Sequence, residues 1–273
     1  MKELSIINKR KGILTSCILF MLLCCSIQNT TALQQDPPYF EDTIQLVNDS
    51  TLRVQADSSG IYYDIIGDSA LAALVRAADI GDFEIYIDDS YYDSWGLFIS
   101  EIAGRTNAGY DGWQFWVNYP TDDIPMVAAD TFVLEDGDTL DWFFGGYGFD
   151  PESSDMRLLL HIEVVDDTTP PEITSVTPSK GGFYLLGSKL TTLPIPMAIV
   201  FGQITISAAY SEAHAMHRVE FYMDNELLQV DYFAPFEHAL TGFGTGSHTM
   251  KTIAYDSAQN TNIQETQVLF VSN

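Results

Sequence analysis

The chain has few cysteines and few basic residues, and each shortage excludes a class of protein. Its three cysteines, Cys17, Cys24 and Cys25, all lie near the N-terminus. If that segment is removed, no disulfide can form, so stability must come from a packed core. The chain contains 12 Lys and Arg against 38 Asp and Glu, which gives a net charge of −26. Because such a surface repels phosphate backbones, nucleic acid is excluded as an expected partner.

The first 32 residues have the pattern of a secretory signal peptide. Four basic residues precede an apolar run over 13–25, which is shorter than the about 20 residues that span a bilayer. Thr30 and Ala32 occupy the small-residue positions of a cleavage site. We therefore predict a signal peptide over 1–32 and an extracellular or cell-surface protein. An uncleaved or lipidated leader is the alternative, and it is the only route to a membrane that the sequence offers.

Two stretches that contain Pro pairs divide the remainder into two predicted domains. Residues 33–42 include Pro37-Pro38, and residues 166–171 end in a second Pro pair. Because proline disrupts regular structure and the neighbouring residues are polar, both stretches are predicted to be linkers. They delimit a first domain over 43–165 and a second over 172–273.

The first domain combines one helix with several strands. Four apolar residues spaced at i, i+3, i+4 and i+7 predict a helix, and Asp68 before them is the expected N-cap; they are Leu71, Leu74, Val75 and Ala78. Segments rich in aromatic and branched residues predict strands, among them 113–118, 139–144 and 157–165. Residues 135–138 predict a turn between strands, in which Gly137 takes a positive φ. We expect an α+β domain with one helix packed on a small, β-grasp-like sheet.

The second domain has almost no helical periodicity. Short alternating segments separated by turn residues predict six or seven strands over about 100 residues, so we expect an all-β sandwich. Residues 183–200 are interpreted as an extended connection between strands.

Four segments of the first domain resemble the transcobalamin-like C-terminal domain family. They are 69–78, 99–104, the Gly-Trp…Val-Asn segment 112–118, and 128–142, which contains Leu-Glu-Asp-Gly-Asp. The second domain resembles bacterial immunoglobulin-like modules. Pro170-Pro171-Glu172-Ile173 opens that pattern, and segments 219–225, 231–236, 246–249 and 254–261 continue it.

The first resemblance implies a site for a flat, partly apolar ligand. In cobalamin carriers the similar domain covers one face of the cofactor with a Trp-bearing strand and the loop that follows, which match Trp113, Gln114 and loop 119–127 here. Alternation places Trp113 on the core face of its strand and Trp116 on the opposite face. The predicted ligand-binding residues are Trp113, Gln114, Trp116, Tyr119, Met126 and Val127.

No arrangement of residues predicts catalysis or a metal site. His214 and His217 are three residues apart but fall in an expected loop without a further ligand, and paired acids are interpreted as solvated surface, with calcium as the alternative. The sequence therefore predicts a non-enzymatic binding or interaction protein without catalytic or metal-binding residues. Its partner would be an extracellular protein, a glycan or a small molecule. The alternatives are a corrinoid-binding component of an uptake system, with cobalamin as the cofactor, and an accessory module of an extracellular enzyme.

Overall fold

The computed structural model of the protein describes residues 37–211, 216–241 and 244–271. The predicted signal peptide and the beginning of the first predicted linker lie outside these residues. None of the helices in these ranges has the length and apolar character needed to cross a membrane. The described residues all belong to one compact unit, Asp36–Asn273, and their buried apolar side chains form two clusters.

The first cluster is enclosed by strands and helices from the N-terminal half. These are β1 (Phe40–Val47), β2 (Thr51–Gln55), β3 (Tyr62–Ile66), α1 (Ala70–Gly81), β4 (Ile85–Asp88), α2 (Tyr92–Trp95), β5 (Phe98–Ile102), β6 (Arg105–Thr106), β7 (Gly112–Val117), β8 (Thr139–Gly145) and β9 (Arg157–Val165). A four-stranded sheet has the order β1-β9-β8-β7, with β1 parallel to β9 and the other pairs antiparallel. The pair β2-β3 and the sheet β4-β5-β6 complete this half.

The first strand begins inside the stretch that was expected to be a linker. Strand β1 starts at Phe40, although residues 33–42 were predicted to lack regular structure. Residues 37–39 lie outside any strand, but Ile44 and Leu46 alternate with Thr43 and Gln45 and are completely buried. This burial extends the strand back through Glu41 and Asp42, whose side chains face solvent.

Helix α1 forms where the apolar spacing predicts it, but its N-cap is one residue later than expected. The Ser69 hydroxyl accepts a hydrogen bond from the Ala72 backbone N–H at 3.2 Å, so Ser69 and not Asp68 caps the helix. Asp68 instead lies in the core, where its carbonyl accepts from the Leu134 N–H at 2.9 Å. Leu71 and Leu74 are fully buried beneath the sheet.

The second cluster is enclosed by two sheets. Their strands are β10 (Glu172–Thr177), β11 (Gly182–Leu185), β12 (Ser188–Thr192), β13 (Met197–Phe201), β14 (Ile204–Ser211), β15 (Met216–Met223), β16 (Glu226–Asp231), β17 (Phe236–Leu240), β18 (Gly246–Asp256) and β19 (Thr261–Val271). A seven-stranded sheet, β12-β11-β13-β19-β18-β15-β16, packs on a three-stranded sheet, β10-β14-β17. Because buried residues of both sheets meet in one cluster, this half is a β-sandwich.

Residues 183–200 are not an extended connection, as had been expected. They hold most of β11, all of β12 and most of β13, and β13 pairs in parallel with the long strand β19. Every residue of β12 is exposed, so its sequence lacks the alternation by which strands are recognised.

Polar contacts join the two halves around β2 and β15. Arg53 pairs with Asp64 at 2.7 Å, and its guanidinium lies 3.9 Å from the centre of the Tyr232 ring. His217 was expected in a loop, but it lies in β15, nearly buried, with Nε2 3.6 Å from Asp64 Oδ1. The backbone N–H of Thr51 donates to the Ser257 carbonyl at 2.8 Å.

The position of α1 predicts how substitutions on its two faces will differ. Leu74→Ala should lower the free energy of unfolding by about 2–5 kcal/mol, because it leaves a cavity in a fully buried site. Ile80→Ala, on the same helix but 56% exposed, should change it by less than about 0.5 kcal/mol. Urea denaturation monitored by circular dichroism measures both values. Equal losses of unfolding free energy in the two variants would contradict the burial of the helix face that carries Leu74.

Candidate functional site

Strand β7 is the edge strand of the four-stranded sheet, and its residues alternate between two faces. Trp113, Phe115 and Val117 are buried, whereas Gln114 and Trp116 are half-buried on the opposite face. The indole N–H of Trp113 donates to the Arg105 carbonyl at 2.7 Å, which fixes the ring in the core wall. Within its sheet β7 pairs only with β8, and it also contacts β5 of the neighbouring sheet.

The side-chain amide of Asn107 connects β7 to β5. Its Nδ2 donates to the Ile99 carbonyl at 3.0 Å, and its Oδ1 accepts from the Trp113 backbone N–H at 3.0 Å. One side chain thus supplies both the donor and the acceptor that a neighbouring strand would otherwise supply. This bridge sets the separation between the two strands.

A cleft of about 230 Å³, which we call the aromatic cleft, opens beside β7. It is lined by residues 95 and 97–99 on one side, by 113–115 and Trp142 at the base, and by 124–129 on the other side. Two of its lining side chains are unusually exposed for their type: Trp95 is 69% and Met126 is 89% exposed. Large apolar side chains in this state are typical of surfaces that contact a partner or ligand.

Gly96 and Asp130 hold the two walls of the aromatic cleft together. Asp130 is buried and accepts from the Leu97 backbone N–H at 3.1 Å. Gly96 has φ of 78°, and a Cβ there would lie 2.6 Å from Asp130 Oδ1 and 2.7 Å from the Ala128 Cβ. Only glycine satisfies both the backbone conformation and the close approach. Burial raises the pKa of the Asp130 carboxyl group, and the Leu97 N–H partly opposes this rise.

The structure brings four of the six predicted ligand-binding residues to the aromatic cleft. Trp113, Gln114, Met126 and Val127 line it. The Gln114 side-chain amide is already engaged, since it donates to the Gly145 carbonyl at 2.8 Å. That these four residues bind a ligand stays a prediction.

Trp116 and Tyr119 do not line the aromatic cleft, and their part in binding a ligand stays a prediction. The Trp116 indole N–H donates to the Asp122 carbonyl at 2.7 Å. Tyr119 packs edge-on against Trp116, with ring centres 5.0 Å apart. Only residues 124–127 of the predicted loop 119–127 reach the cleft.

The sequence reasoning missed Trp95 and Phe98 as cleft residues. Trp95 ends α2, a four-residue helix that is too short to produce a helical period. The available signal was aromatic density, because residues 91–98 include two tyrosines, a tryptophan and a phenylalanine around a glycine. Tyr91, Trp95 and Phe98 are all exposed.

The sandwich of the second half belongs to the immunoglobulin-like class. Residues 191–251 match the family model described as a bacterial Ig domain. This match covers β13 to β17 and part of β12 and β18. It confirms that the second half contains an immunoglobulin-like module, as expected. No curated protein matches the chain.

Solved structures with immunoglobulin-like or fibronectin-like modules are among the structural neighbours. The fibronectin(III)-like modules of Clostridium thermocellum CbhA are 25% identical over 37% of this chain and 93% of theirs, with a TM-score of 0.28. A lytic polysaccharide monooxygenase of Jonesia denitrificans is 20% identical over 29% of this chain and 61% of its own, with a TM-score of 0.25. The Ig1-2 module of the Drosophila receptor protein tyrosine phosphatase DLAR is 8% identical over 84% of this chain and 95% of its own, with a TM-score of 0.26.

The buried Asp130 predicts a pH dependence at the aromatic cleft. Its pKa in the folded protein lies above the usual value of 3.8, so ionisation of this group destabilises the fold as pH rises through the folded-state pKa. Asp130→Asn removes this ionisation and keeps an oxygen that can accept from Leu97. The free energy of unfolding of the variant minus that of the unmodified protein should therefore be largest at pH 7 and decrease toward pH 4.

Urea denaturation of both proteins at several pH values measures this difference. Acids elsewhere titrate in both proteins, so they cancel. A difference that is independent of pH, or that grows on acidification, would contradict the assignment.

Proposed function

We propose that this chain is a secreted or cell-surface, non-enzymatic binding protein that captures a partly apolar ligand in the aromatic cleft and presents it on an immunoglobulin-like module. The observation that carries the proposal is the cleft itself, which lies beside Trp113 and residues 124–127. A module that served only as a spacer would be expected to pack this loop closed against the sheet. The open cleft of about 230 Å³ favours binding instead.

The lining of the aromatic cleft supports an apolar ligand surface. Trp95, Phe98 and Met126 supply exposed apolar area, and Trp113 and Trp142 form the base. Aromatic surface with few polar groups is the usual composition of small-molecule sites. Because Met126 and Val127 are 89% and 55% exposed, a ligand that covered them would remove apolar area from water.

The arrangement of the first half supports the finer proposal of a β-grasp-like, transcobalamin-like domain. Parallel pairing of β1 with β9 and the packing of α1 beneath the sheet fit such a domain. The Gly-Trp…Val-Asn segment forms the edge strand β7, and Gly137 in the Leu-Glu-Asp-Gly-Asp segment has φ of 89°. The Gly-Trp…Val-Asn segment, which carried part of the resemblance, therefore borders the cleft.

A corrinoid is the second candidate ligand, and the observation that favours it is that Trp113, which matches the Trp-bearing strand of the cobalamin carriers, lines the cleft. A corrin ring is larger than about 230 Å³, so it would lie across the opening and contact Met126 and Val127. A chain that bound a corrinoid would act as the corrinoid-binding component of an uptake system. An accessory module of an extracellular enzyme is a further role that the same binding surface would serve.

Titration of the purified protein with Nile red, a neutral apolar dye, tests the cleft. A saturable rise in dye fluorescence is expected. Met126→Asp should weaken binding by at least about fivefold, because it places a charge on a surface that the ligand must desolvate. Leu190→Asp is the matched control, since Leu190 is 57% exposed in the other half and should leave binding unchanged.

Two results would contradict the proposal: no saturable signal with the unmodified protein, or equal weakening by both variants. Titration with cobalamin, followed by absorbance, tests the second candidate separately. No saturable change at millimolar cobalamin would exclude the corrinoid, but it would not contradict the binding of another apolar ligand in the aromatic cleft.

A further inference from the structure

A second concavity, which we call the aromatic bowl, adjoins the aromatic cleft. It has a volume of about 480 Å³ and is lined by Asp88, Tyr91, Trp95, Phe98, Ser100 and Asn107. Trp95 and Phe98 line both concavities, so these two rings form the ridge between them. None of the predicted ligand-binding residues belongs to the bowl.

Three aromatic rings form the apolar wall of the aromatic bowl. Tyr91 is 65% exposed, Trp95 is 69% exposed, and Phe98 is 43% exposed. The rings of Tyr91 and Phe98 meet edge-on with centres 6.2 Å apart, so they stand at an angle to each other and do not form a flat stack. Exposed aromatic rings attract cations through the negative potential of their faces.

The polar groups of the bowl supply one negative charge and few open hydrogen-bonding positions. Both polar atoms of the Asn107 amide are engaged with Ile99 and Trp113, and the Ser100 hydroxyl donates to the Tyr86 carbonyl at 3.3 Å. Asp88 accepts hydrogen bonds from the Ser90 hydroxyl and backbone N–H, which hold the pKa of this carboxyl group below its usual value. Asp88 is therefore ionised at neutral pH.

No Lys or Arg is among the residues that line either concavity. The chain as a whole carries a net charge of −26, so its field concentrates cations near the surface. A ligand that carries a positive charge would gain attraction from Asp88 and from the ring faces together.

We propose that the aromatic bowl binds a quaternary ammonium group of a small molecule. Such a group has no N–H that needs an acceptor, which suits a site where Ser100 and Asn107 are already bonded. Its methyl groups are apolar and pack on Tyr91, Trp95 and Phe98, and its charge is held by the rings and by Asp88. A primary ammonium could donate to Asp88, but it would bring no methyl groups to pack on the three rings. The site goes beyond the proposed cleft function and needs no ligand in the aromatic cleft.

Titration of the purified protein with choline, followed by its tryptophan fluorescence, tests the proposal against a neutral molecule of the same shape. The comparison ligand is 3,3-dimethyl-1-butanol, in which carbon replaces the charged nitrogen. Choline should give a saturable change and bind at least about fivefold more tightly than the neutral ligand. Trp95→Ala should abolish choline binding.

Two further variants separate the bowl from its surroundings. Asp88→Asn should weaken choline binding severalfold and leave binding of the neutral ligand unchanged. Asp79→Asn, on an exposed position of α1, makes the same change of charge and should have no effect. Met126→Asp, which weakens binding in the aromatic cleft, should retain choline binding, so failure of the cleft and failure of the bowl are distinguishable.

The proposal is overturned if choline gives no saturable signal, or if it binds no better than the neutral ligand. It is also overturned if Asp79→Asn weakens choline as much as Asp88→Asn does, because binding would then reflect the overall negative charge. Loss of fold in Trp95→Ala would be visible by circular dichroism, and the comparison of the two ligands with the unmodified protein would then decide.

Discussion

The side-chain amide of Asn107 is the constraint on which both concavities depend. It bonds to Ile99 on β5 and to Trp113 on β7, two strands that share no backbone ladder. Residues of both strands, Phe98 and Ile99 of β5 and Trp113 to Phe115 of β7, line the aromatic cleft. The same residue forms part of the wall of the aromatic bowl. An asparagine is suited to this position because it carries one donor group and one acceptor on a short, stiff side chain.

The two hydrophobic clusters are connected by polar and aromatic contacts, not by a continuous apolar core. Arg53 of β2 pairs with Asp64 and lies over Tyr232, and Tyr62 packs on Phe233 with ring centres 4.8 Å apart. Downstream, the Asn260 side chain donates to the Asp167 carbonyl at 2.9 Å, so the irregular segment between β9 and β10 is held against the sandwich. A segment rich in Asp, Thr and Pro, which its composition predicted to be a linker, is thus fastened at a defined point.

Sequence reasoning located the elements whose pattern reflects burial on one face. The spacing of Leu71 and Leu74 found α1, and the alternation of Trp113 with Gln114 found β7. Sequence reasoning could not find β12, because all residues of that strand are exposed. It also could not find α2, because four residues are too few to show a helical period. Asn107 was also missed, because its partners are fixed by tertiary structure and have no local signature. The cleft was located only in part, since Trp95 and Phe98 come from a different segment than the motif-bearing strand.

The parallel pairing of β1 with β9 joins residues that are far apart along the chain. Gln45 and Glu163, which face each other across this pair, are separated by 118 residues. A chain that emerges N-terminus first cannot close this sheet until its last strand is available, and such long-range closure is slow. The order of synthesis therefore keeps β1 without its partner strand until most of the first half has emerged.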